Sequence, residues 1–168
     1  MIQIKAPHDY SAHRGMPSVF LAGSIEMGSA EDWQAKVVSS LSHLEALILN
    51  PRRDQWDSSW EQKITNKPFR EQVEWELNAL DAADIILVYY CPNTKAPVTM
   101  LELGLYAHSN PEKLIVCCPE GFWRKGNVDI VCAKYGVEQA ATLEDLIAAT
   151  AERVNACISS SSLSRRSV

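Results

Sequence analysis

Two glutamates stand where a carboxylate calls for an explanation. Glu102 lies inside the apolar run "TMLELGLYA", Thr99 to Ala107. It falls in the first turn of a helix that follows a buried strand, so the helix dipole favours its ionised form, the form a nucleophile must have. The same residues fit a plainer role. Thr99-x-x-Glu102 matches the capping box, in which the acid only reaches back to the capping amide. Glu76 sits on the segment Pro68–Ala82. At about 100° per residue it falls beside the stripe Phe69, Val73, Leu77 and Leu80. A carboxylate beside a core-facing stripe needs a partner, and desolvation there raises its pKa toward that of a general acid. An edge residue in an ion pair is the alternative. Trp75 points nearly opposite the stripe, which suggests a covered outer surface such as a subunit contact.

Two loops could frame a ligand. In "AGSIEMG", Gly23 lets a ligand approach the backbone closely, and Ser24 could hold a hydroxyl or phosphate or simply cap the turn. The stretch "NPRRDQWDSSW" mixes Arg52, Arg53, Asp54, Trp56, Asp57 and Trp60. A tryptophan there could stack on a flat ring, and the arginines could pair with a phosphate or with nearby acids. Other chemistry is missing its signature. There is no GxGxxG, no GK[ST] loop and no GxSxG elbow, and the four histidines lack metal-ligand spacing.

These residues must be positioned by a fold. Four short, continuously apolar runs read as buried strands: Val19–Gly23, Ala46–Asn50, Ile85–Tyr90 and Leu114–Cys118. Helical patterns alternate with them, over Asp32 to about His43, Pro68–Ala82, Thr99 to about His108 and Thr142–Ile158, the last opened by a Thr142/Asp145 capping pattern. Asn127–Tyr135 reads as a further helix and Val137–Ala140 as a short fifth strand. The alternation predicts a flavodoxin-like three-layer α/β/α fold around a five-stranded parallel sheet of order 2-1-3-4-5. Its ligand crevice lies beyond the first and third strands, where the loops Gly23–Asp32 and Cys91–Thr99 meet.

The chain has 168 residues, 46% hydrophobic and 22% charged, which suits one domain, read here as residues 1–158 with a disordered Ser-rich tail over 159–168. The net charge of −5 disfavours gripping a nucleic acid polymer. Five cysteines without CxxC spacing suit a reducing compartment and no structural zinc. No apolar stretch reaches the ~18 residues of a membrane span, and "MIQIKAPHDY" does not read as a signal peptide, so a cytoplasmic setting is expected.

Taken in order, "VFLAGSIE", "NPRRDQW", "FREQVEWELNALDAADIILVYY" and "PVTMLELGLYA" resemble the nucleoside 2-deoxyribosyltransferase-like family, in its broad, less-characterised branch. The resemblance spans roughly Val19 to Cys118, somewhat under two thirds of the chain. It implies cleavage of the N-glycosidic bond of deoxynucleosides or their 5′-monophosphates, with the sugar passed to another base or to water. It implies a homodimer or higher oligomer and requires no metal or organic cofactor. Glu102 falls on the family nucleophile and Glu76 on the acid of the preceding helix, while Gly23, Ser24 and Ile25 map to the pocket loop. Family transferases often carry an Asp shortly before the nucleophile. Here "TKAPVTML" has none, and Asp54 or Asp57 is expected to supply it, with Arg53 and Trp56 beside the substrate. A catalytically inactive nucleotide-binding or sensing module on the same fold is the alternative.

Overall fold

The computed structural model describes residues 1–26 and 30–164, with side chains through residue 160. Six strands form one parallel sheet: β1 (Ile2–Lys5), β2 (Ser18–Gly23), β3 (Leu47–Asn50), β4 (Ile85–Tyr89), β5 (Leu114–Cys117) and β6 (Glu138–Ala140). Their order is β1-β3-β2-β4-β5-β6. The expectation of five strands is therefore corrected to six. The added strand is the N-terminal "IQIK", which pairs outside β3 from Ile2 opposite Leu47 to Lys5 opposite Asn50. It was overlooked because it alternates apolar and polar residues over four positions and is only partly buried, as an edge strand is. Counted from β2, the other five run 2-1-3-4-5.

Five helices cover the sheet: α1 (Trp33–Ser40), α2 (Lys67–Ala82), α3 (Pro97–Ser109), α4 (Lys125–Tyr135) and α5 (Leu143–Ser164). Strand side chains alternate between two cores. Phe20 and Ala22 of β2, with Ile86 and Val88 of β4, pack with Trp75, Leu80, Leu103 and Val128 from α2, α3 and α4. Val19, Leu21, Ile85 and Leu87 pack with Trp33, Val37, Leu146 and Val154 from α1 and α5. The result is a three-layer α/β/α arrangement.

Local chemistry sets the helix starts. Asp32 accepts from the Ala35 amide, and Asn66 accepts from Phe69 with Pro68 in the first turn of α2. Thr142 and Asp145 form the reciprocal capping box ahead of α5. That helix continues through Ser164, beyond the expected end at Ile158, so most of the Ser-rich tail read as disordered is helical and its last four residues lie outside the described part.

The face of α2 also needs correction. Its buried residues are Gln72, Trp75, Ala79 and Leu80, whereas Leu77 is 43% exposed. Trp75 is a core residue. Its Nε1–H donates to the His8 carbonyl and its ring packs on Tyr10 and Phe20. The N-terminal segment thus covers the side that looked like an outer surface. The rotation leaves Phe69, Val73 and Glu76 facing a cavity rather than the sheet core.

At the switch point β2 and β4 lie side by side, with Gly23 opposite Tyr89. A Cβ on Gly23 would sit 2.2 Å from the Tyr89 carbonyl oxygen and 2.6 Å from the Trp33 ring. Neither neighbour can swing aside, one being backbone and the other a fully buried indole. Gly23→Ala is expected to destabilise the fold by about 2–3 kcal/mol, read as a lower urea midpoint at unchanged slope.

Candidate active site

A cavity of about 480 Å³ opens beyond the carboxyl ends of β2 and β4. Gly23, Ile25 and Glu26 line it from the end of β2; Pro51, Arg52, Arg53 and Trp56 from the loop after β3; Phe69, Gln72, Val73 and Glu76 from α2; and Lys95 to Thr99 with Glu102 from the start of α3. Gly23, Ile25, Arg53, Trp56, Glu76 and Glu102, all expected at the site, meet in this one cavity.

Three expected residues, Ser24, Asp54 and Asp57, do not join them. Ser24 is fully buried and absent from the lining. Its Oγ accepts from the Cys91 amide at 3.0 Å and bonds Thr94 Oγ1 at 2.7 Å, while its carbonyl accepts from Trp33 Nε1. Ser24 therefore ties the end of β2 to the loop after β4, and its hydroxyl is spent on that. Asp54 is exposed and pairs with Lys5 of β1. Asp57 likewise turns outward, accepting from Ser59. Neither supplies an acid to the cavity, because the backbone turns both side chains to solvent while Arg53 and Trp56 face inward.

The capping box at Thr99 and Glu102 is not formed. Pro97 opens α3 two residues earlier than expected, and Ala96 precedes it in the left-handed region at φ +42°. Thr99 is thus inside the first turn, and its hydroxyl donates to the Gly23 carbonyl at 3.0 Å. The helix start is held from another segment. Glu26 Oε1 accepts from the backbone amides of Lys95 and Ala96, both at 2.8 Å. Glu26 was missed in the sequence because it lies 70 residues from the amides it binds; its one visible signal was an acid three positions past a strand end at the switch point. Removing it in Glu26→Ala is expected to cost about 1–2 kcal/mol, measured by thermal or urea unfolding, since two charge-assisted bonds to otherwise orphaned amides are lost.

Glu102 is only 8% exposed, and no hydrogen bond from the described residues reaches its carboxylate. Burial, with the nearby Glu76 charge adding to it, pushes its pKa up to about 8. This overturns the expectation of a dipole-held anion: deep in the second helical turn, desolvation outweighs the helix dipole, which fades beyond the first turn. Burial also raises Glu76, to about 7, against the opposing pull of Gln72. Gln72 Nε2 donates to Glu76 Oε1 and to the Pro51 carbonyl, both at 2.9 Å, so it fixes the carboxyl and ties α2 to the loop after β3. The i, i+4 spacing of Gln72 and Glu76 was the legible sign of this pair.

The cationic rim is uneven. Arg52 donates to the carbonyls of Ala30 and Glu31 and to Gln34, and is structural. Arg53 stacks over the Trp60 ring at 4.9 Å, and Trp60 meets Trp56 edge-on. Arg53 Nη1, Trp56 Nε1 and Gln72 Oε1 are buried without a hydrogen-bond partner among the described residues. Among the described residues, no group of three or more His, Cys, Asp and Glu side chains is placed to hold a metal ion, and no helix is long and apolar enough to cross a membrane.

A parallel α/β sheet with a buried and a part-buried glutamate, Glu102 and Glu76, lining one cavity at its switch point defines the class of protein. The chain belongs to the nucleoside 2-deoxyribosyltransferase-like family, whose model matches residues 16–122 and so includes every residue lining the cavity. A search of curated proteins finds no match to the chain.

Proposed function

We propose that the protein cleaves the N-glycosidic bond of deoxynucleosides or their 5′-monophosphates through a covalent glycosyl-Glu102 intermediate, passing the sugar to another base or to water. The observation that carries this reading is the interacting pair of carboxyls, Glu102 buried and Glu76 part-buried, lining one cavity of about 480 Å³. In the reactive form the pair holds a single proton on Glu76 with Glu102 ionised, the less populated of the two one-proton arrangements because burial raises Glu102 further than Glu76. A Glu102 oxygen bonds to C1′ as the C1′–N bond breaks. The bonding pair goes to the base nitrogen, which takes the Glu76 proton. Water or a second base then attacks C1′, the ester C–O bond breaks, and Glu76 takes the incoming nucleophile's proton. Positive charge developing on the sugar is stabilised by the adjacent carboxylate in a dry site.

Because the two groups interact, the titration belongs to the pair. Activity is expected to be bell-shaped in pH, with a maximum between about 7 and 8. Below that window both carboxyls are protonated and no nucleophile exists; above it both are ionised and no acid remains. Initial rates across pH 5 to 10, at about unit steps, check this. The test of the function is a panel of deoxynucleosides, ribonucleosides and 5′-monophosphates, with and without a second free base, followed by chromatography. Release in water marks a hydrolase, and exchange marks a transferase. Absence of both across the panel would sink the reading.

The same proposal includes assembly and setting. Val98, Leu101 and Leu105 of α3 and Leu77 of α2 are exposed apolar residues, and Val98 also lines the cavity. They support a homo-oligomer, which sedimentation velocity would read. Five free cysteines, four of them buried, support a cytoplasmic setting.

A further inference from the structure

The loop after β3 holds a charge that the proposed chemistry leaves unused. Its two acids turn away from the cavity: Asp54 pairs with Lys5, and Asp57 accepts from Ser59. Both of its arginines line the cavity, but Arg52 is spent on the carbonyls of Ala30 and Glu31 and on Gln34. Arg53 is different. It is part-buried, and its guanidinium makes no hydrogen bond or ion pair with a described residue; Nη1 is enclosed and still unpartnered. An enclosed cation without a counterion is costly, and a ligand that brings the anion offsets that cost. We infer that Arg53 anchors an anion subsite, and that the preferred ligand is a nucleoside monophosphate rather than a free nucleoside, its phosphate monoester seated against Arg53 and the Trp56 indole N–H. This inference rests on the nucleoside reading above and narrows it.

The surroundings of Arg53 are ordered for such a role. Its guanidinium lies over the Trp60 ring at 4.9 Å, and Trp56 meets the same ring edge-on at 5.2 Å. Stacking on an indole holds a guanidinium in place without using its N–H groups. Trp56 Nε1 can only donate, and it too is buried without a partner in the same three-residue cluster. A base carbonyl would satisfy these N–H groups but leave the guanidinium uncompensated, whereas a phosphate answers both needs. The two carboxyls do not compete for Arg53. Burial and Gln72 govern Glu76, burial and Glu76 govern Glu102, and the Arg53 charge perturbs neither. The cavity therefore has a cationic end and a carboxyl end. The ester comes from one of two sugar positions, 5′ or 3′.

The experiment measures dissociation constants by calorimetry in the Glu102→Gln background, where the ligand is not consumed. Deoxyadenosine, deoxyguanosine, deoxycytidine and thymidine are each compared with their 5′- and 3′-monophosphates. One of the two monophosphate series is expected to bind about tenfold or more tighter than its parent nucleosides, and the position that gains identifies the ester. Adding Arg53→Gln is expected to abolish that gap while leaving the parent nucleosides within about twofold. Arg53→Lys keeps the charge without the planar fork; it is expected to shrink the gap severalfold, and it carries the test if the glutamine variant does not fold. If nucleosides bind but neither monophosphate series gains, or if the gain survives Arg53→Gln, the anion subsite falls while the nucleoside reading stands. If neither nucleosides nor monophosphates bind, that reading fails and takes this inference with it.

Discussion

If the proposed mechanism holds, Glu102→Gln is expected to lower the rate of base release by about a thousandfold or more, equivalent to about 4 kcal/mol or more of barrier. Glutamine is nearly isosteric and fits the same space in α3, but its amide oxygen is a poor nucleophile and carries no charge to offset the developing oxocarbenium ion. The loss belongs to kcat, because the carboxylate acts on the reacting carbon rather than on ground-state binding. Glu76→Gln is expected to lose less, about a hundredfold, and mainly with bases that leave poorly. That ordering separates nucleophile from acid. Single-turnover base release, with the covalent glycosyl adduct sought by mass spectrometry in the wild type, reads the difference. A fully active Glu102→Gln variant would remove Glu102 from the mechanism.

The same two carboxyls make stability depend on pH. Both have folded-state pKa values raised above the ordinary 4.5, to about 8 for Glu102 and about 7 for Glu76. Below about pH 4.5 both are protonated in the folded and unfolded chain, and neither costs anything. Between there and about pH 8 the folded state binds more protons than the unfolded state, so stability falls as pH rises. The loss grows with pH until both are ionised. Wild type should therefore lose stability between pH 5 and pH 9 relative to a Glu76→Gln/Glu102→Gln double variant, which should be the more stable protein at pH 9. Urea titrations of both proteins at several pH values test this, and the difference between them cancels surface carboxylates common to both. Equal curves would mean that the pair is solvated. A gain in stability with a loss of activity is the expected signature of a site that holds charge where the fold alone would not.

Much of this molecule was legible before any coordinates. The runs "VFLAG", "ALILN", "IILVYY" and "LIVCC" are apolar on both faces because helices cover both faces, and that local record named four strands and their parallel pairing. The crevice followed from topology, and with it the neighbourhood of Gly23 and Glu102. Periodicity misled where the partner surface was unknown. A stripe of Phe69, Val73, Leu77 and Leu80 has the right spacing for a core, yet α2 is turned so that Trp75 enters the core beneath the N-terminal segment and Glu76 enters the cavity. The capping box at Thr99 was a pattern without its geometry, since Pro97 starts the helix earlier.

What the sequence by itself determined is the order of strands and helices, the crevice that order creates, and the presence of carboxylates beside it. These follow from short-range periodicity and chain connectivity, which are written residue by residue. Tertiary structure alone decided which oxygen meets which proton. It spent Ser24 on the β4 loop, sent Asp54 to Lys5, and brought Glu26 across 70 residues to the start of α3. It also made Glu102 harder to ionise than its place near a helix start suggests. A helix dipole is a local property that the sequence reveals, whereas desolvation depends on every atom that closes around the carboxylate, and here it is the larger effect.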